Sequence, residues 1–403
     1  MSAFFKRTKD TLCGVIISIK SGSVEGSIIL SSHRQKLPVV VYTSETLMPL
    51  RADAEPDRVR AMRRALFSVM VALAQDGMKV LYAQQKRARV DRVLVSCGAP
   101  WSNTITQRIH FEQDTPFTVT PRLVDEIILH AYKKETARTP ERARTLKESG
   151  KRIVEKTIID IALNGYHIPQ PYNKQASELD IAHLRGLIAV PVLTALADTE
   201  KHIRGLATMR MHTAPLILYC VLRDLYPHTA NALIIDISGT ATEVTLMQDS
   251  ILYESVAAEY GVDSLVRDIA SADKTIPDEA RGRLRSYRQN VLTQTQEKAL
   301  ARAQKRYARA LEPAFSELAA RYAFPQTIFL VLAEDMVPFF TETITDALRA
   351  HGGHKEKNIV LLTPAHTRHL TEAPAGATVS AHLALAACFF HNLHACGEDM
   401  HSA

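Results

Sequence analysis

Two short turns in this chain are built from the residue types that bind phosphate. One is the segment 20–23 (KSGS) and the other is the segment 238–242 (SGTAT). Glycine lets backbone N–H groups come close to a phosphate, and serine and threonine hydroxyls can bond its oxygens. Asp236 stands just before the second turn, where a carboxylate suits a Mg²⁺ ion held through water. The predicted binding residues are Lys20, Ser21, Gly22, Ser23, Asp236, Ser238, Gly239, Thr240 and Thr242.

Each turn must be held between two strands. Apolar runs flank both turns, and runs of this length separated by Gly- and Ser-rich segments are typical of β-hairpins. A third strand and then a helix are predicted after each hairpin. These elements are 15–19, 26–30, 37–42 and the helix 57–82 in the first unit, and 232–237, 243–247, 251–256 and the helix 261–270 in the second. The repeat predicts two similar lobes that face each other across a cleft, with one turn on each side.

The rest of the chain is predicted to form two inserts and the closing elements of the lobes. Residues 105–111 and 156–163 are predicted strands, helices are expected near 121–132 and 181–194, and 206–226 is expected to be one apolar helix. Pro313 is expected to kink or break a long helix. The predicted division is 1–98 first part of the first lobe, 99–196 inserted α+β subdomain, 197–230 return helix of the first lobe, 231–270 first part of the second lobe, 271–324 helical subdomain, and 325–403 second part of the second lobe.

The composition is that of a globular protein. Of the 403 residues, 46% are hydrophobic and 23% are charged, which is ordinary for folded domains. No uninterrupted apolar run reaches the ~18 residues of a membrane-spanning helix. The first ten residues lack the apolar segment of a secretion signal, and the five cysteines form no CxxC pair, which favours reduced thiols. We therefore expect a cytoplasmic protein.

The charge is unevenly distributed. The net charge is +6, which favours an acidic partner such as a nucleotide, a nucleic acid or an anionic membrane. The segment 281–309 holds nine basic residues and one acidic residue, Glu297. A solvated helix face is the favoured interpretation of this segment, and an anion-binding surface is the alternative.

The segment 232–270 resembles the second phosphate motif and following helix of the actin-like ATPase superfamily, in the branch that holds the division protein FtsA and the pilus-assembly protein PilM. Gly261 stands where that motif has its last glycine. The segment 18–29 (SIKSGSVEGSII) resembles the first phosphate motif, and 330–344 (LVLAEDMVPFFTETI) lies where the adenosine motif should be. The insert, with its segment 164–166 (NGY), resembles the α+β subdomain of FtsA-type proteins.

This resemblance implies an α/β fold with duplicated actin-like (ribonuclease H-like) lobes around a nucleotide cleft. It places the small α+β insert in the first lobe and the helical insert in the second. It also implies ATP and Mg²⁺ as cofactors, with Asp236 reaching the metal through water. No residue stands out as a catalytic base, so the catalytic residues stay unknown.

The chain departs from the family pattern at both motifs. The Asp that ends the first strand in the family is Ser18 here, and the next turn glycine is Lys20. The loss of a carboxylate weakens the metal site, and Lys20 could instead contact a phosphate directly. The paired glycines of the adenosine motif are replaced by Ala333, Glu334 and Asp335, whose side chains crowd an adenine ring. ATP binding therefore stays open, and efficient hydrolysis is not expected.

Residues in the C-terminal segment raise two further questions. Cys388, His391, His394 and Cys396 are metal-ligand types, but they lack zinc-finger spacing, so neither zinc nor haem is expected. The apolar helix predicted at 378–393 is interpreted as core, and a membrane-binding helix, as in FtsA-like proteins, is the alternative.

The leading functional interpretation is a cytoplasmic scaffold that resembles PilM or FtsA. Such a protein couples cytoplasmic assembly to an inner-membrane pilus or division machine by binding a partner's peptide at the inserted subdomain. Peripheral attachment to the inner face of the membrane and a homo-oligomer or filament are further expectations. The alternatives are a small-molecule kinase of the same superfamily and a basic nucleic-acid-binding protein. Nucleic acid is the less favoured partner, because the segment 281–309 carries no recognised nucleic-acid motif.

Overall fold

A computed structural model describes residues 11–50, 55–86, 88–138, 150–202, 208–289, 291–351, 356–374 and 377–395. Its strands form two sheets, one of five and one of nine strands. The first sheet and the helices beside it form the first lobe. Its elements are β1 (Thr11–Ile19), β2 (Ser23–Ser32), β3 (Val39–Leu47), α1 (Glu55–Ala72), a π-helical turn (Leu73–Gly77), α2 (Met78–Gln84), β4 (Arg92–Cys97) and, after the insert, α4 (Val190–His202), β9 (Thr208–Thr213) and α5 (Ala214–Leu225).

The first sheet has the strand order β3-β2-β1-β4-β9. β1, β2 and β3 are antiparallel neighbours, as expected for apolar runs joined by short turns. β4 and β9 extend the sheet in the parallel direction. The turn predicted to bind phosphate joins β1 to β2, so it lies at the carboxyl end of β1, where open α/β sheets bind ligands.

The second lobe repeats this order. Its sheet runs β12-β11-β10-β13-β14, with β10 to β12 antiparallel and with β13 and β14 parallel to β10. The duplication predicted from the sequence is therefore present. The elements are β10 (Ala232–Ile237), β11 (Thr242–Gln248), β12 (Ile251–Ala258), α6 (Val262–Ala272), α7 (Pro277–Arg285), α8 (Gln294–Ala319), β13 (Thr327–Val331), a 3₁₀ turn (Glu334–Met336), α9 (Val337–Arg349), β14 (Asn358–Leu362), α10 (Pro364–Thr367), a second 3₁₀ turn (Arg368–Leu370) and α11 (Ala381–Ala395).

Between β4 and α4 the described residues of the chain form an antiparallel sheet that helix α3 covers. The sheet order is β5-β8-β6-β7, and β5 joins it to β12 of the second lobe. Apolar side chains of α3 and of one sheet face form a core of their own. The elements are β5 (Ser102–Thr118), α3 (Pro121–Arg138), β6 (Lys151–Leu163), β7 (Tyr166–His167) and β8 (Gln175–Ala189).

Helices α5 and α11 lie between the lobes. One apolar cluster joins residues of both helices to Ile16 and Leu94 of the first sheet and to Ile234 and Phe329 of the second. The predicted C-terminal helix therefore belongs to the interlobe core, and it packs on β1 and β2 as well as on α5. The Phe390 ring of α11 lies directly over Gly14 of β1 and leaves no room there for a Cβ atom.

Three sequence expectations are wrong. Residues 181–189 are part of strand β8, because that segment pairs with β5 on one side and β6 on the other. Residues 208–213 form β9, a strand whose partner β4 is distant in the chain. The predicted break at Pro313 is absent, since α8 runs on to Ala319, while the alternative of a kink stays a prediction. The apolar face of α8, including Tyr307, Leu311 and Phe315, is buried in the second-lobe core, and this packing keeps the helix in one piece.

The helical stretch Glu55–Gln84 is long and apolar enough to cross a membrane by length and mean hydropathy alone. In the structure its residues Met62, Leu66 and Val69 are buried, and α1 packs on β2 and β3. The stretch therefore lies in the first lobe as a core helix.

Replacement of a core residue of α11 tests its position between the lobes. We expect Phe390→Ala to lower the free energy of unfolding by about 3–5 kcal/mol, because it leaves a cavity in packed surroundings. Urea denaturation measures this change. The matched control is Phe67→Ala, since Phe67 on α1 is 57% exposed, and its cost should stay near about 0.5 kcal/mol. Equal costs for the two variants, with reduced vesicle binding for Phe390→Ala, would instead identify α11 as a membrane helix.

Candidate functional site

The fold brings the two predicted turns into direct contact. The hydroxyl oxygens of Ser21 and Ser238 lie 2.7 Å apart. The backbone N–H of Thr240 donates to the Ser21 hydroxyl over 2.8 Å. Within the first turn, the N–H of Lys20 donates to the carbonyl of Ser23 over 3.0 Å. Ser21, which was predicted to bind phosphate, therefore bonds the opposite turn, and Ser23 bonds within its own turn.

The glycines of the two turns lie backbone to backbone. A Cβ atom on Gly22 would lie 2.8 Å from the Cα atom of Gly239, and one on Gly239 would lie 2.8 Å from the backbone nitrogen of Gly22. A Cβ atom on Gly261 would lie 2.6 Å from the carbonyl oxygen of Gly239. No side chain fits at these distances, so contact between backbone segments is sufficient to require glycine at all three positions.

The carboxylate of Asp263 covers the turn glycines. Asp263 follows Gly261 in the first turn of α6, and its Oδ2 atom lies 2.7 Å from the position of a Gly22 Cβ. Its Oδ1 atom accepts a hydrogen bond from Arg281 Nη2 on α7 over 2.6 Å. The Asp263 side chain is buried. The position beside the two glycines, where a phosphate was predicted, therefore holds a carboxylate of the protein itself.

Lys20 is bound by a carboxylate of the neighbouring strand. Its ammonium forms an ion pair with Glu25 of β2, and the other oxygen of Glu25 accepts from the Ser380 hydroxyl over 2.6 Å. Burial alone would raise the pKa of Glu25, but the charges of Lys20 and then His382 hold that pKa below its ordinary value. Burial alone would lower the pKa of Lys20, but Glu25 holds it above its ordinary value. Lys20 therefore stays charged and faces Glu25 rather than a phosphate.

Asp236, the predicted Mg²⁺ ligand, is bound by the C-terminal helix. His382 of α11 donates from Nε2 to Asp236 Oδ1 over 2.8 Å. Glu243 of β11 is also buried. It accepts from the Ala99 N–H over 3.3 Å and from the Ser255 hydroxyl over 3.1 Å. Burial, together with the charge of Asp236, raises the pKa of Glu243 to about 8.

These polar side chains form one buried group between the lobes, which we call the interlobe cluster. Strands of both lobes and α11 contribute to it, and buried groups of this kind are stable only when each charge has a partner. Ser18, on β1, is buried beside it and pairs in register with Glu25. The members of the interlobe cluster are Lys20, Glu25, Asp236, Glu243, Ser380 and His382.

The third predicted segment lies on the 3₁₀ turn before α9. Ala333 is exposed. Glu334 accepts from the Thr363 hydroxyl over 2.7 Å, and Asp335 forms a 2.5 Å ion pair with Arg285 of α7. Arg281 and Arg285 are one turn apart on α7, so α7 connects the Asp263 carboxylate to this turn. Glu334 and Asp335 thus bond other side chains of the protein. In an adenosine motif, the backbone at these positions would be open to the adenine base.

Two threonines differ in their surroundings. The Thr242 hydroxyl is 2.8 Å from the Tyr260 carbonyl and 2.6 Å from the Tyr307 hydroxyl. The Thr240 hydroxyl oxygen is buried and has no hydrogen-bond partner among the described residues. Of the two threonine hydroxyls in the second turn, that of Thr240 therefore has unused bonding capacity.

The residues in this arrangement do not fit a magnesium-bound polyphosphate between the turns. The two backbones are in contact, and the Asp263 carboxylate would repel a phosphate at the glycines. The cation nearest to the first turn, Lys20, is paired with Glu25. Asp236 shares its hydrogen bond with His382. The free hydroxyl of Thr240 does not offset these charges.

The sequence analysis missed the residues that fill the site. Glu25 could have been noticed, because it is a charged residue within an otherwise apolar and small-residue strand that is wholly buried. Asp263 could have been noticed as an acid two residues after the motif glycine Gly261. Arg281, Ser380 and His382 gave no signal, because they reach the site from segments distant in the chain.

Ion pairs account for much of the basic segment 281–309. Five of its nine basic residues pair with acidic side chains of the same lobe. These pairs are Arg281–Asp263, Arg283–Asp273, Arg285–Asp335, Arg288–Glu342 and Arg306–Asp268. The pairing favours the solvated-face interpretation over an anion-binding surface.

The C-terminal histidines face a serine of the first sheet. The Nδ1 atoms of His391 and His394 lie 2.8 Å and 3.1 Å from the Ser31 hydroxyl. Cys388 is a free thiol on the same helix, and Cys396 lies outside the described residues.

The raised pKa of Glu243 predicts a pH dependence of stability. The folded protein keeps a proton that the unfolded chain releases near its ordinary pKa of 4.5. The resulting stabilisation is complete below that pH and is lost as pH rises through about 8. We expect Glu243→Gln, which cannot ionise, to remove on the order of a few kcal/mol of this pH dependence. Urea unfolding of both proteins between about pH 5 and 8 measures the difference.

The control for this experiment is Glu259→Gln, because the Glu259 side chain is 72% exposed. Its stability should follow the wild-type pH dependence. Parallel curves for wild type and Glu243→Gln would show that Glu243 is ionised in the folded protein.

Comparison with known proteins shows the fold. No family model and no curated protein sequence matches this chain. Among solved structures, a chain of the PilM-PilN type IV pilus biogenesis complex is similar over 95% of this chain and 98% of that chain, with 12% identity and a TM-score of 0.57. A protein of unknown function with an actin-like ATPase fold from Bacteroides thetaiotaomicron matches at 11% identity over 89% of this chain and 94% of that chain, with a TM-score of 0.41.

The ethanolamine utilization protein EutJ from Carboxydothermus hydrogenoformans matches at 10% identity over 96% of this chain and 91% of that chain, with a TM-score of 0.38. The similarity to the pilus complex rests on nearly the full length of both chains. Together with the repeated strand order of the two lobes, it confirms the predicted fold: this chain has two duplicated lobes, as in the actin-like ATPases.

Proposed function

We propose that this protein is an actin-like scaffold that acts by binding a protein partner and does not turn over ATP. The observation that carries the proposal is that side chains of the protein itself fill the cleft. Asp263 covers the turn glycines, Lys20 pairs with Glu25, and Asp236 pairs with His382. An actin-like ATPase needs these positions for phosphate and metal. Here they stabilise the contact between the lobes.

The partner part of the proposal is supported by the similarity to a chain from a PilM-PilN complex. That complex is a protein–protein assembly of type IV pilus biogenesis. By this likeness, the protein works in the cytoplasm and couples to an inner-membrane pilus machine, with a division machine as the alternative setting. Peripheral attachment to the membrane is part of this proposal. The burial of Leu383, Leu385, Phe389 and Phe390 favours attachment through the partner over insertion of α11.

The small-molecule kinase alternative requires ATP at the same turns. A kinase must hold the transferred phosphate and its magnesium next to the acceptor. The Asp263 carboxylate and the absent first-strand carboxylate at Ser18 both oppose this. A nucleotide titration therefore tests the kinase and the scaffold together.

Calorimetric titration with Mg-ATP is expected to give no binding stronger than a Kd of about 1 mM. The Asp263→Asn variant keeps the shape of the side chain and removes its charge. We expect it to gain weak nucleotide binding, because Arg281 is released and the repulsion at the glycines falls. The same titration measures both proteins.

Asp236→Ala serves as the control for binding at the second turn. Wild-type binding in the micromolar range that is lost in Asp236→Ala would mean an active nucleotide site and would rule out the filled-cleft explanation.

Co-expression tests the partner. If the genome that encodes this protein also encodes PilN, the two proteins are expected to co-elute in size-exclusion chromatography. Separate elution of two folded proteins would contradict the pilus setting, although it would leave the nucleotide result unchanged.

A further inference from the structure

One face of the insert sheet carries a histidine and three acidic side chains on two adjacent strands. His110 of β5 lies opposite Asp180 of β8, and Glu112 of β5 lies opposite Glu178 of β8. Residues that are opposite each other in an antiparallel pair project from the same face of the sheet. These four residues therefore form one set on that face, which we call the open-face group.

The other face of the same strands is apolar. Ile109, Leu179 and Ile181 alternate with members of the open-face group and are buried in the core that the sheet forms with α3. The turn after β6 also holds the backbone of Glu178. Asn164 accepts from the Glu178 N–H through Oδ1, and its own N–H donates to the Glu178 carbonyl, each over 3.0 Å. Packed, paired strands hold side chains in more precise positions than loops do.

His110 lies at the centre of the open-face group. Its Nδ1 atom is 2.9 Å from Asp180 Oδ1 and 3.8 Å from Glu178 Oε1. The ligand atoms of these three residues all lie within 4.8 Å of one another, and the described residues contain one such group of His, Cys, Asp or Glu. Ligand atoms at zinc-bond lengths in a tetrahedral site lie about 3.4 Å apart. The three side chains are partly exposed, so small rotations bring them to that spacing.

The second ring nitrogen of His110 also faces a carboxylate. His110 Nε2 lies 3.7 Å from Glu112 Oε2. A metal-bound histidine usually donates its other ring N–H to a carboxylate, which fixes the orientation of the ring. In the open-face group, Nδ1 faces two carboxylates that can share an ion with it, and Nε2 faces a third carboxylate that can orient the imidazole.

The donor set favours zinc over magnesium and calcium. Imidazole nitrogen suits zinc, whereas magnesium and calcium prefer sites made of oxygen alone. Three protein ligands leave the fourth position of a tetrahedral zinc ion to water. His110 and Asp180 are 70 residues apart in the chain, so their spacing gave no signal of a metal site in the sequence.

We propose that His110, Glu178 and Asp180 bind one zinc ion on the open face of the insert sheet, with Glu112 as the residue that orients His110. The ion connects β5 to β8 through their side chains and neutralises part of the acidic face. The site shares no residue with the interlobe cluster. The zinc site is therefore additional to the proposed scaffold function and does not depend on it.

Calorimetric titration of the metal-free, full-length protein with zinc chloride tests the site. We expect one equivalent of zinc to bind with a Kd of about 10 µM or below. His110→Ala and Asp180→Asn remove one ligand each, and each should weaken the binding of this equivalent at least about tenfold, or about 1.4 kcal/mol. The readout is the difference between wild type and variant, so weaker binding of zinc to other histidines does not affect it.

The matched control is His167→Ala. His167 lies on β7 of the same sheet, its side chain is 57% exposed, and its Nδ1 atom is 2.8 Å from Asp160 Oδ2. It resembles His110 in exposure and in having a bonded carboxylate, but it belongs to no three-residue ligand group among the described residues. The variant should keep the zinc affinity of wild type.

Two further measurements use wild type alone and do not depend on the folding of any variant. At constant ionic strength, about 1 mM magnesium chloride should leave the zinc affinity unchanged, because an imidazole ligand discriminates against magnesium. A patch that attracts cations by charge alone would lose its zinc under these conditions. The X-ray absorption spectrum at the zinc edge, with one equivalent bound, should show one imidazole ligand and otherwise oxygen ligands.

The proposal is overturned if the folded variants His110→Ala and Asp180→Asn bind zinc as wild type does, or if His167→Ala loses the same equivalent. It is also overturned if magnesium displaces the zinc or if the absorption spectrum shows no imidazole ligand. Each of these results would identify His110 as a surface histidine that is ion-paired with its acidic neighbours.

Discussion

Contact between the two hairpin turns is the constraint on which the remaining structure depends. Gly22 and Gly239 meet backbone to backbone, and Gly261 lies against the second turn. These contacts fix the separation of the lobes at one end of the cleft. At the other side of the sheets, α5 and α11 fill the space between the lobes with apolar side chains. The angle between the two sheets follows from these two boundaries, since a packed interior does not deform continuously.

The same contacts determine the electrostatics of the cleft. Buried ionisable groups cost several kcal/mol each unless a partner compensates them. The interlobe cluster supplies these partners from both lobes and from α11, with Lys20 on Glu25 and His382 on Asp236. Breaking one pair to admit a nucleotide would leave the other group buried and alone. A cleft arranged in this way stabilises one relative position of the lobes, which suits a scaffold better than a nucleotide switch.

The insert adds a second sheet region beside the second lobe. Its sheet has its own apolar core with α3. It contacts the second lobe at β12, through the strand pair of Ile105 with Glu254 and the hydrogen bond of Arg108 to Tyr253. Ser255 of β12 lines a cleft beside this contact and also donates to the interlobe cluster. Ser255 therefore connects the wall of the cleft between the insert and the second lobe to the interlobe cluster.

The sequence by itself determined the duplicated hairpins, the amphipathic helices and the two turns, because apolar periodicity and Gly/Ser turns act over a few residues. It did not determine strand 208–213 or residues 181–189 of β8, because their strand form depends on neighbours distant in the chain. The turn residues were predictable, but the occupants of the cleft were not. Asp263 beside Gly22, and His382 beside Asp236, are brought together by the packing of α6 and α11. Only the tertiary structure decided this, because a charge's partner depends on distance in space.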